Sequence, residues 1–373
     1  MSLESSKRPL CVAVVGAGVA GAACARALCD AGHSVRVFDK SCDAGGRLAT
    51  RRELWVDALG QGRSTRFDHG APGFDARSAA FCNFTADALR AGWLKAWLPL
   101  FDSRGLGSAN PGPTLVPVPD MPTLCRQVLR GIDVAWASPV QRLQRGPLGW
   151  SLHGADGVLS EGFDAVVLAL PPAQAGQLLA VHQPGWARHA ALALMQPCWT
   201  LMGVATAPQA AIDWHVARPP GGPLFAVQRN ECRPGRERRE GEAHWVLHAR
   251  AAWSRLHLAQ SAAWVQDQLQ AALADWLGEV VHWHYAVTHR WRYAMPLPGA
   301  GDPVGRCWWD PASGLGVCGD FLGGGGVEAA WLSAHALAVE MLAGTGAGTG
   351  IGTGADFDIG AVPLTRAAQP EAA

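Results

Sequence analysis

The sequence predicts an α/β fold of two domains, one built on a parallel sheet with helices on both faces, the other on a mixed sheet. Three observations predict it. Leu10–Val15 is a continuous apolar run, the pattern of a strand buried on both faces, and it leads into Gly16-Ala17-Gly18-Val19-Ala20-Gly21 and an alanine-rich segment of helical spacing. Phe163–Leu170 is a second apolar run that ends at Pro171-Pro172, and Gly314–Ser333 repeats the order strand, glycine loop, helix. Between these lie short strand-like segments at 132–136, 140–144, 149–153, 158–163, 198–205, 224–228, 244–249 and 282–294, separated by turn residues.

The first unit is a Rossmann-like dinucleotide site. Gly16 permits the tight turn, Gly18 lets a pyrophosphate approach the backbone, and Gly21 lets the helix lie close to the strand. The helix N-terminus adds free N–H groups and a positive dipole end. Gly32 stops the helix, Ser34–Phe38 is the next strand, and Asp39 then Lys40 follow it. An acid there, about twenty residues past the glycines, suits a ribose hydroxyl.

Composition narrows the partners. The 373 residues hold 31 basic and 31 acidic side chains, which argues neither for nucleic acid nor for an anionic membrane surface, and neither is expected as partner. Ten cysteines are scattered without C-x-x-C, and the three histidines of the strand 282–294 (His282, His284, His289) lack paired carboxylates. Neither a disulfide framework nor a metal site is expected, and a reducing, cytoplasmic setting is. Met1–Pro9 is short and polar, unlike a signal peptide, and the apolar stretch 190–205 is too short to span a bilayer.

Along the chain, 78–97 has helical periodicity, 99–113 is a Gly/Pro-rich connection, and a helix is expected near Asp120 with Asp120 as N-cap and Pro122 in its first turn. The segment 132–163 suggests a three-stranded antiparallel insertion. Ala169–Pro171 is expected at the crevice where parallel strands end, and Ser261–Leu277 is an amphipathic helix closed by Gly278. Asn230–Glu242 is strongly charged and is read as solvated surface, and Arg51-Arg52 suit a basic surface loop equally well. From Gly344 the chain is Gly/Thr-rich and is read as a flexible tail.

Several motifs resemble a known group. Ser41–Arg52, with Gly45-Gly46-Arg47, resembles the second signature of the FAD-dependent oxidases and dehydrogenases, and Asp68, Gly70 and Ala71 match the D-x-G-A stretch of flavin amine oxidases. Together with G-A-G-V-A-G, F-D-K, H-R-W-R-Y-A and G-D-F-L-G-G-G-G-V-E, they resemble the renalase family over roughly residues 10–342. That resemblance implies the p-hydroxybenzoate-hydroxylase-like fold and non-covalent FAD. It implies an FAD-binding domain over 1–75, 112–172 and 304–343, and a substrate domain over 76–111 and 173–303. The cofactor residues it implies are the 16–21 turn, Asp39, Lys40, Gly45, Gly46, Arg47, His69, Gly70, Ala71, Val140, Ala169, Leu170, Asp320, Gly326, Val327 and Glu328.

It further implies oxidation of the 2- and 6-dihydro isomers of NAD(P)H, with O2 reduced to H2O2. Asn230, His248, Trp291 and Arg292 match the substrate-pocket positions, and His69 lies near the ring or serves structure. Trp291 equally suits a core and Arg292 a domain-bridging ion pair. Against a flavin amine oxidase stands the absence of any lysine after Lys95, since many such enzymes set a lysine beside the flavin. A non-catalytic flavin redox sensor is the alternative from another class. Oligomeric state is not legible.

Overall fold

The computed structural model describes residues 8–106, 112–209, 212–297 and 305–345. In chain order its elements are β1 (Cys11–Val15), α1 (Val19–Asp30), β2 (Ser34–Phe38), β3 (Arg51–Val56), β4 (Gly62–Phe67), α2 (Ala79–Arg90), β5 (Leu94–Trp97), β6 (Thr114–Pro117) and α3 (Thr123–Val128). There follow β7 (Asp133–Ala135), β8 (Arg142–Gly146), β9 (Gly149–Gly154), β10 (Gly157–Phe163), β11 (Ala165–Leu168), α4 (Pro172–Leu179), α5 (Pro184–Leu192), β12 (Met195–Thr206), β13 (Val216–Ala217) and β14 (Leu224–Arg229). The chain closes with β15 (Glu242–Ala249), α6 (Ala251–Leu256), α7 (Ala262–Leu277), β16 (Trp283–Pro296), β17 (Trp308–Asp310), β18 (Leu315–Val317) and α8 (Gly326–Thr345).

The first sheet has the order β17-β18-β11-β1-β2-β7, parallel except at its β17 edge. Both faces of β1 are covered, with Val12 and Val14 in one core and Ala13 and Val15 in another. That two-sided burial is why the run is unbroken by polar residues. The second main sheet, β13-β14-β15-β12-β16, is antiparallel, and α7 lays Val265, Leu269 and Leu273 against it. Strands β8, β9 and β10 form the expected antiparallel meander. Helix α7 begins at Ser261, whose side chain accepts from Trp264 N–H, and ends at Gly278 with φ 75°. No described helix is long and apolar enough to cross a membrane.

Five readings of the sequence are corrected. Helix 78–97 stops at Arg90 because Gly92 takes φ 77° and the N–H of Trp93 turns back to Ala88; residues 94–97 then pair with β6 as a strand. Asp120 is not a cap. Helix α3 starts three residues later, and the Asp120 carboxylate is held by the Thr123 hydroxyl and Arg126. Val140 precedes its strand rather than opening it, since β8 begins at Arg142. Arg51 and Arg52 lie in the β3–β4 hairpin, not in a loop. The charged segment 230–242 is not simply solvated: Asn230, Glu231 and Arg233 are buried. Most of the expected tail, from residue 346, lies outside the described residues.

Candidate functional site

A cleft of about 2580 Å³ runs from the C-terminal ends of β1, β2 and β11 to the face of β12, β15 and β16. At its first end the three glycines do separate jobs. Gly16 takes φ 109°, and a Cβ there would stand 2.4 Å from the Ala169 carbonyl oxygen. A Cβ on Gly21 would stand 1.8 Å from the Gly16 carbonyl oxygen, so only glycine lets α1 lie on the turn. Gly18 is different: a Cβ there meets no atom nearer than 3.9 Å, and the room faces the cleft. Gly18 is also the N-cap of α1 and offers no side-chain cap, so first-turn amides of Val19 and Ala20 are left for a ligand.

Asp39 directly follows β2 and accepts from Ala17 N–H at 2.6 Å and Ser41 N–H at 2.7 Å, which pins the glycine turn to the neighbouring strand. Its half-buried carboxylate and the exposed Lys40 both line the cleft. Gly45 and Gly46 take φ 113° and 57°, and Gly45 N–H donates to Ala17 at 2.9 Å, closing the second side of the turn. Val140, Ala169 and Leu170 complete this end.

Arg47 and Asp320 hold each other. Arg47 Nη1 donates to Asp320 Oδ2 at 2.9 Å and to the Ala294 carbonyl at 3.1 Å, while Nη2 takes Oδ1. Asp320, 4 % exposed, also accepts Gly326 N–H at 3.3 Å. A forked pair of this kind is geometrically exacting, and it ties the 45–47 turn, the glycine loop before α8 and the end of β16 into one rim. Glu328 accepts from Arg77 N–H at 3.1 Å and Ser78 N–H at 2.6 Å, so its carboxylate serves the start of α2 rather than a ligand. Gly326 and Val327 line the cleft, and a Cβ on Gly326 would meet nothing within 4 Å.

At the other end, alternation along edge strand β16 sets His289 and Trp291 on one face. The Trp291 ring stacks on His69 with centroids 5.0 Å apart, and its Nε1 donates to the His69 carbonyl at 3.0 Å. His248 Nε2 donates to the Gly70 carbonyl at 3.0 Å, which fixes its tautomer. Burial, reinforced by nearby His289 and Arg51, pulls His69 down to about 3. Burial likewise pulls His248 down to about 4, and His289 is lowered for the same reason. These imidazoles are neutral at pH 7. His289 was missed in the sequence as a site residue. Its signal was the two-residue spacing from Trp291, masked by reading the histidines only as metal ligands; among the described residues no group of metal ligands is found.

Asn230 is corrected. It does not line the cleft, because Oδ1 accepts Asp68 N–H at 3.1 Å and Nδ2 donates to the Arg66 carbonyl at 3.0 Å. Arg292 is exposed on the cleft wall and joins no hydrogen bond or ion pair among the described residues, so the domain-bridging alternative does not hold. Arg250 and Arg290, not singled out in the sequence, line the same wall. Cys318 is buried in the β1–α8 core, away from the cleft, and the ten cysteines are free.

Comparison with known proteins agrees with this architecture. Residues 14–84 match the model of an NAD(P)-binding Rossmann-like domain. An L-amino-acid oxidase of Mus musculus is 41% identical over 63 residues, which is 16% of this chain and only 10% of that enzyme. Among solved structures, a protein of Exiguobacterium sp. 255-15 provisionally named a protoporphyrinogen oxidase superposes with a TM-score of 0.64 at 13% identity, covering 90% of this chain and 99% of its own. A cofactor-binding variant of putrescine oxidase gives 0.61 at 13% identity, with 90% and 100% covered. Cyclohexylamine oxidase from Brevibacterium oxydans IH-35A gives 0.60 at 14% identity, again over 90% and 100%. The chain is therefore an α/β protein whose residues 14–84 match an NAD(P)-binding Rossmann-like domain and whose fold is that of these oxidase structures.

Proposed function

We propose that the chain is a renalase-type oxidase that binds FAD non-covalently and oxidises the 2- and 6-dihydro isomers of NAD(P)H to NAD(P)+, reducing O2 to H2O2. The residues present fit the cofactor. At about 2580 Å³ the cleft is more than twice the upper end of the roughly 300–1,000 Å³ range of a single drug-sized site, which suits a dinucleotide cofactor with a substrate beside it. The open faces of Gly18 and Gly326, the uncapped amides of α1 and the carboxylate of Asp39 are the donors, acceptors and space such a cofactor needs. Bound there, FAD supplies a two-electron hydride acceptor that O2 reoxidises.

The observation that carries the substrate reading is the charge of the opposite wall. Gln196–Cys198, Phe225, Ala226, Gln228, 248–252 and 289–295 present Arg250, Arg292, two neutral histidines and neither acid nor lysine, while the Arg290 guanidinium turns to the other face of β16, over Trp199 and onto the Leu258 carbonyl. That wall favours a substrate carrying phosphates over an ammonium ion. Loss of hydride from a dihydropyridine leaves an aromatic cation directly and needs no base, and a histidine at about 3 is a poor one. Trp291, stacked on His69, offers a flat face at which a nicotinamide ring can be oriented.

Two results are expected. Asp39→Ala weakens FAD retention by about 1.5–3 kcal/mol, the worth of a charge-assisted hydrogen bond; it also frees the amides of Ala17 and Ser41. Equilibrium dialysis that gives unchanged FAD affinity removes Asp39 from the ribose. The rate constant for anaerobic flavin reduction is flat from about pH 6 to about pH 9, because histidines held neutral by burial cannot titrate in that window. An amine donor, protonated below about 10 like a lysine, makes the rate climb about tenfold per pH unit, and that climb contradicts the proposal.

A further inference from the structure

One carboxylate and two guanidinium groups are sealed together behind the cleft. Asp68 is 0 % exposed, and the side chains of Arg233 and Arg236 are 0 % and 4 % exposed. Arg236 Nε donates to Asp68 Oδ2 at 2.7 Å, and Arg233 Nε lies 3.0 Å from the same oxygen. Oδ1 accepts the Thr50 hydroxyl at 2.6 Å. The remaining partners carry no charge. Arg233 donates to the Gln228 amide oxygen at 3.1 Å, reaches the Met121 sulfur at 3.2 Å and lies over the Trp97 ring. Arg236 donates to the carbonyls of Pro117 and Pro234. The acid next along the chain, Glu231, is committed to Arg229 at 3.0 Å.

Burial pulls Arg233 down only to about 10, so its guanidinium stays charged at neutral pH. Two guanidinium groups on one carboxylate give the cluster a formal charge of +1, and among the described residues no second acid pairs with it. Such a charge is strongly unfavourable for the fold, and a single arginine would have balanced Asp68. Its position suggests what it serves. Asp68 is followed directly by His69 and Gly70, and Gln228 itself lines the cleft.

We infer that the uncompensated charge of the Arg233–Asp68–Arg236 cluster tunes the redox group in the cleft, favouring the reduced, anionic flavin over the neutral oxidised one. This rests on the flavin reading above. Arg233 is then a positioning residue: it touches neither cofactor nor substrate and acts through the field it sets across Gln228 and the 68–70 segment. Low solvent access makes that field reach further than a surface charge would.

The test is Arg233→Met in the holoprotein, which keeps the stem volume and leaves Asp68 and Arg236 as a balanced pair. The visible spectrum is expected to show FAD retained, and thermal unfolding an unchanged or higher Tm. Reductive titration against a reference dye is expected to show at least a tenfold loss of preference for reduced flavin, which for a two-electron couple is a fall of about 30 mV. Arg236→Met removes the same charge and is expected to move the potential the same way, with a lower Tm because two carbonyl bonds go with it. A preference changed less than about twofold, about 9 mV, in both variants overturns the inference. So does loss of flavin from both variants while they remain folded, which makes the cluster purely structural. A wild-type protein that holds no flavin instead overturns the reading on which the inference rests.

Discussion

Gly21→Ala protein is expected to emerge without flavin and to unfold well below its parent. The added Cβ would lie 1.8 Å from the Gly16 carbonyl oxygen, 2.9 Å from its carbon and 3.2 Å from the Ala169 Cβ. Two of these are backbone atoms of the β1 turn, so no side chain can swing aside. Helix α1 must lift from the sheet, opening the core around Ala22, Ala25 and Leu28 and misplacing the turn at Gly16–Gly18. Overpacking of this kind costs about 3 kcal/mol or more. Gly32→Ala at the other end of α1 is the control. Gly32 takes φ 87° with nothing within 4 Å of a Cβ, so that change costs only the left-handed strain, about 1 kcal/mol, and leaves FAD bound. Melting curves and visible absorbance of the pair check both halves of this expectation. Equal behaviour of the two variants would show that the close approach at Gly21 is not what holds the turn.

Trp291→Ala is expected to slow flavin reduction about 100-fold, the cost of misplacing a reacting centre by about 1 Å, while FAD affinity stays within about twofold. Its ring contacts His69 and His289 and its Nε1 holds the His69 carbonyl, all at the end of the cleft remote from the glycine turn. Loss of the indole removes the flat wall and frees the His69 ring. Single-turnover reduction measured beside FAD dissociation separates the two effects. A variant that loses FAD as readily as it loses rate would place Trp291 in cofactor retention instead.

The dinucleotide end was legible because its causes are local. Gly16, Gly18, Gly21 and Asp39 sit within one strand-helix-strand unit, and their spacing alone implies a turn, a cradle and an acceptor. Helix α7 was legible for the same reason: Ser261 and Gly278 mark its ends, and the apolar period between them marks its buried face. Long-range pairing was not. Arg47 and Asp320 both carried a cofactor reading, yet they meet each other across 273 residues. Asn230 and Arg236 reach Asp68 across 162 and 168 residues, so a segment dense in arginine and glutamate looked like solvated surface. Asn230, Arg233 and Arg236 are drawn in by Asp68, a partner that no local pattern reveals. The helical period over 78–97 ran past its true end because residues after Gly92 keep apolar spacing that serves a two-stranded pairing equally well. Fold, in turn, does not select a substrate: structures named for putrescine, cyclohexylamine and protoporphyrinogen oxidation share this one.

Anaerobic stopped-flow mixing of the purified holoprotein with separate donors tests the central claim most directly. The donors are the 2- and 6-dihydro isomers of NADH and NADPH, the ordinary 4-dihydro forms, putrescine and cyclohexylamine. The proposed activity predicts rapid bleaching of the flavin by the 2- or 6-dihydro isomers, at least about 100-fold faster than by the 4-dihydro forms, because a pocket that sets C2 or C6 at the flavin misplaces C4. It predicts no bleaching by either amine, and one H2O2 for each hydride once air is admitted. Rapid bleaching by an amine, with no response to the 2- and 6-dihydro isomers, would contradict the account and make the protein an amine oxidase.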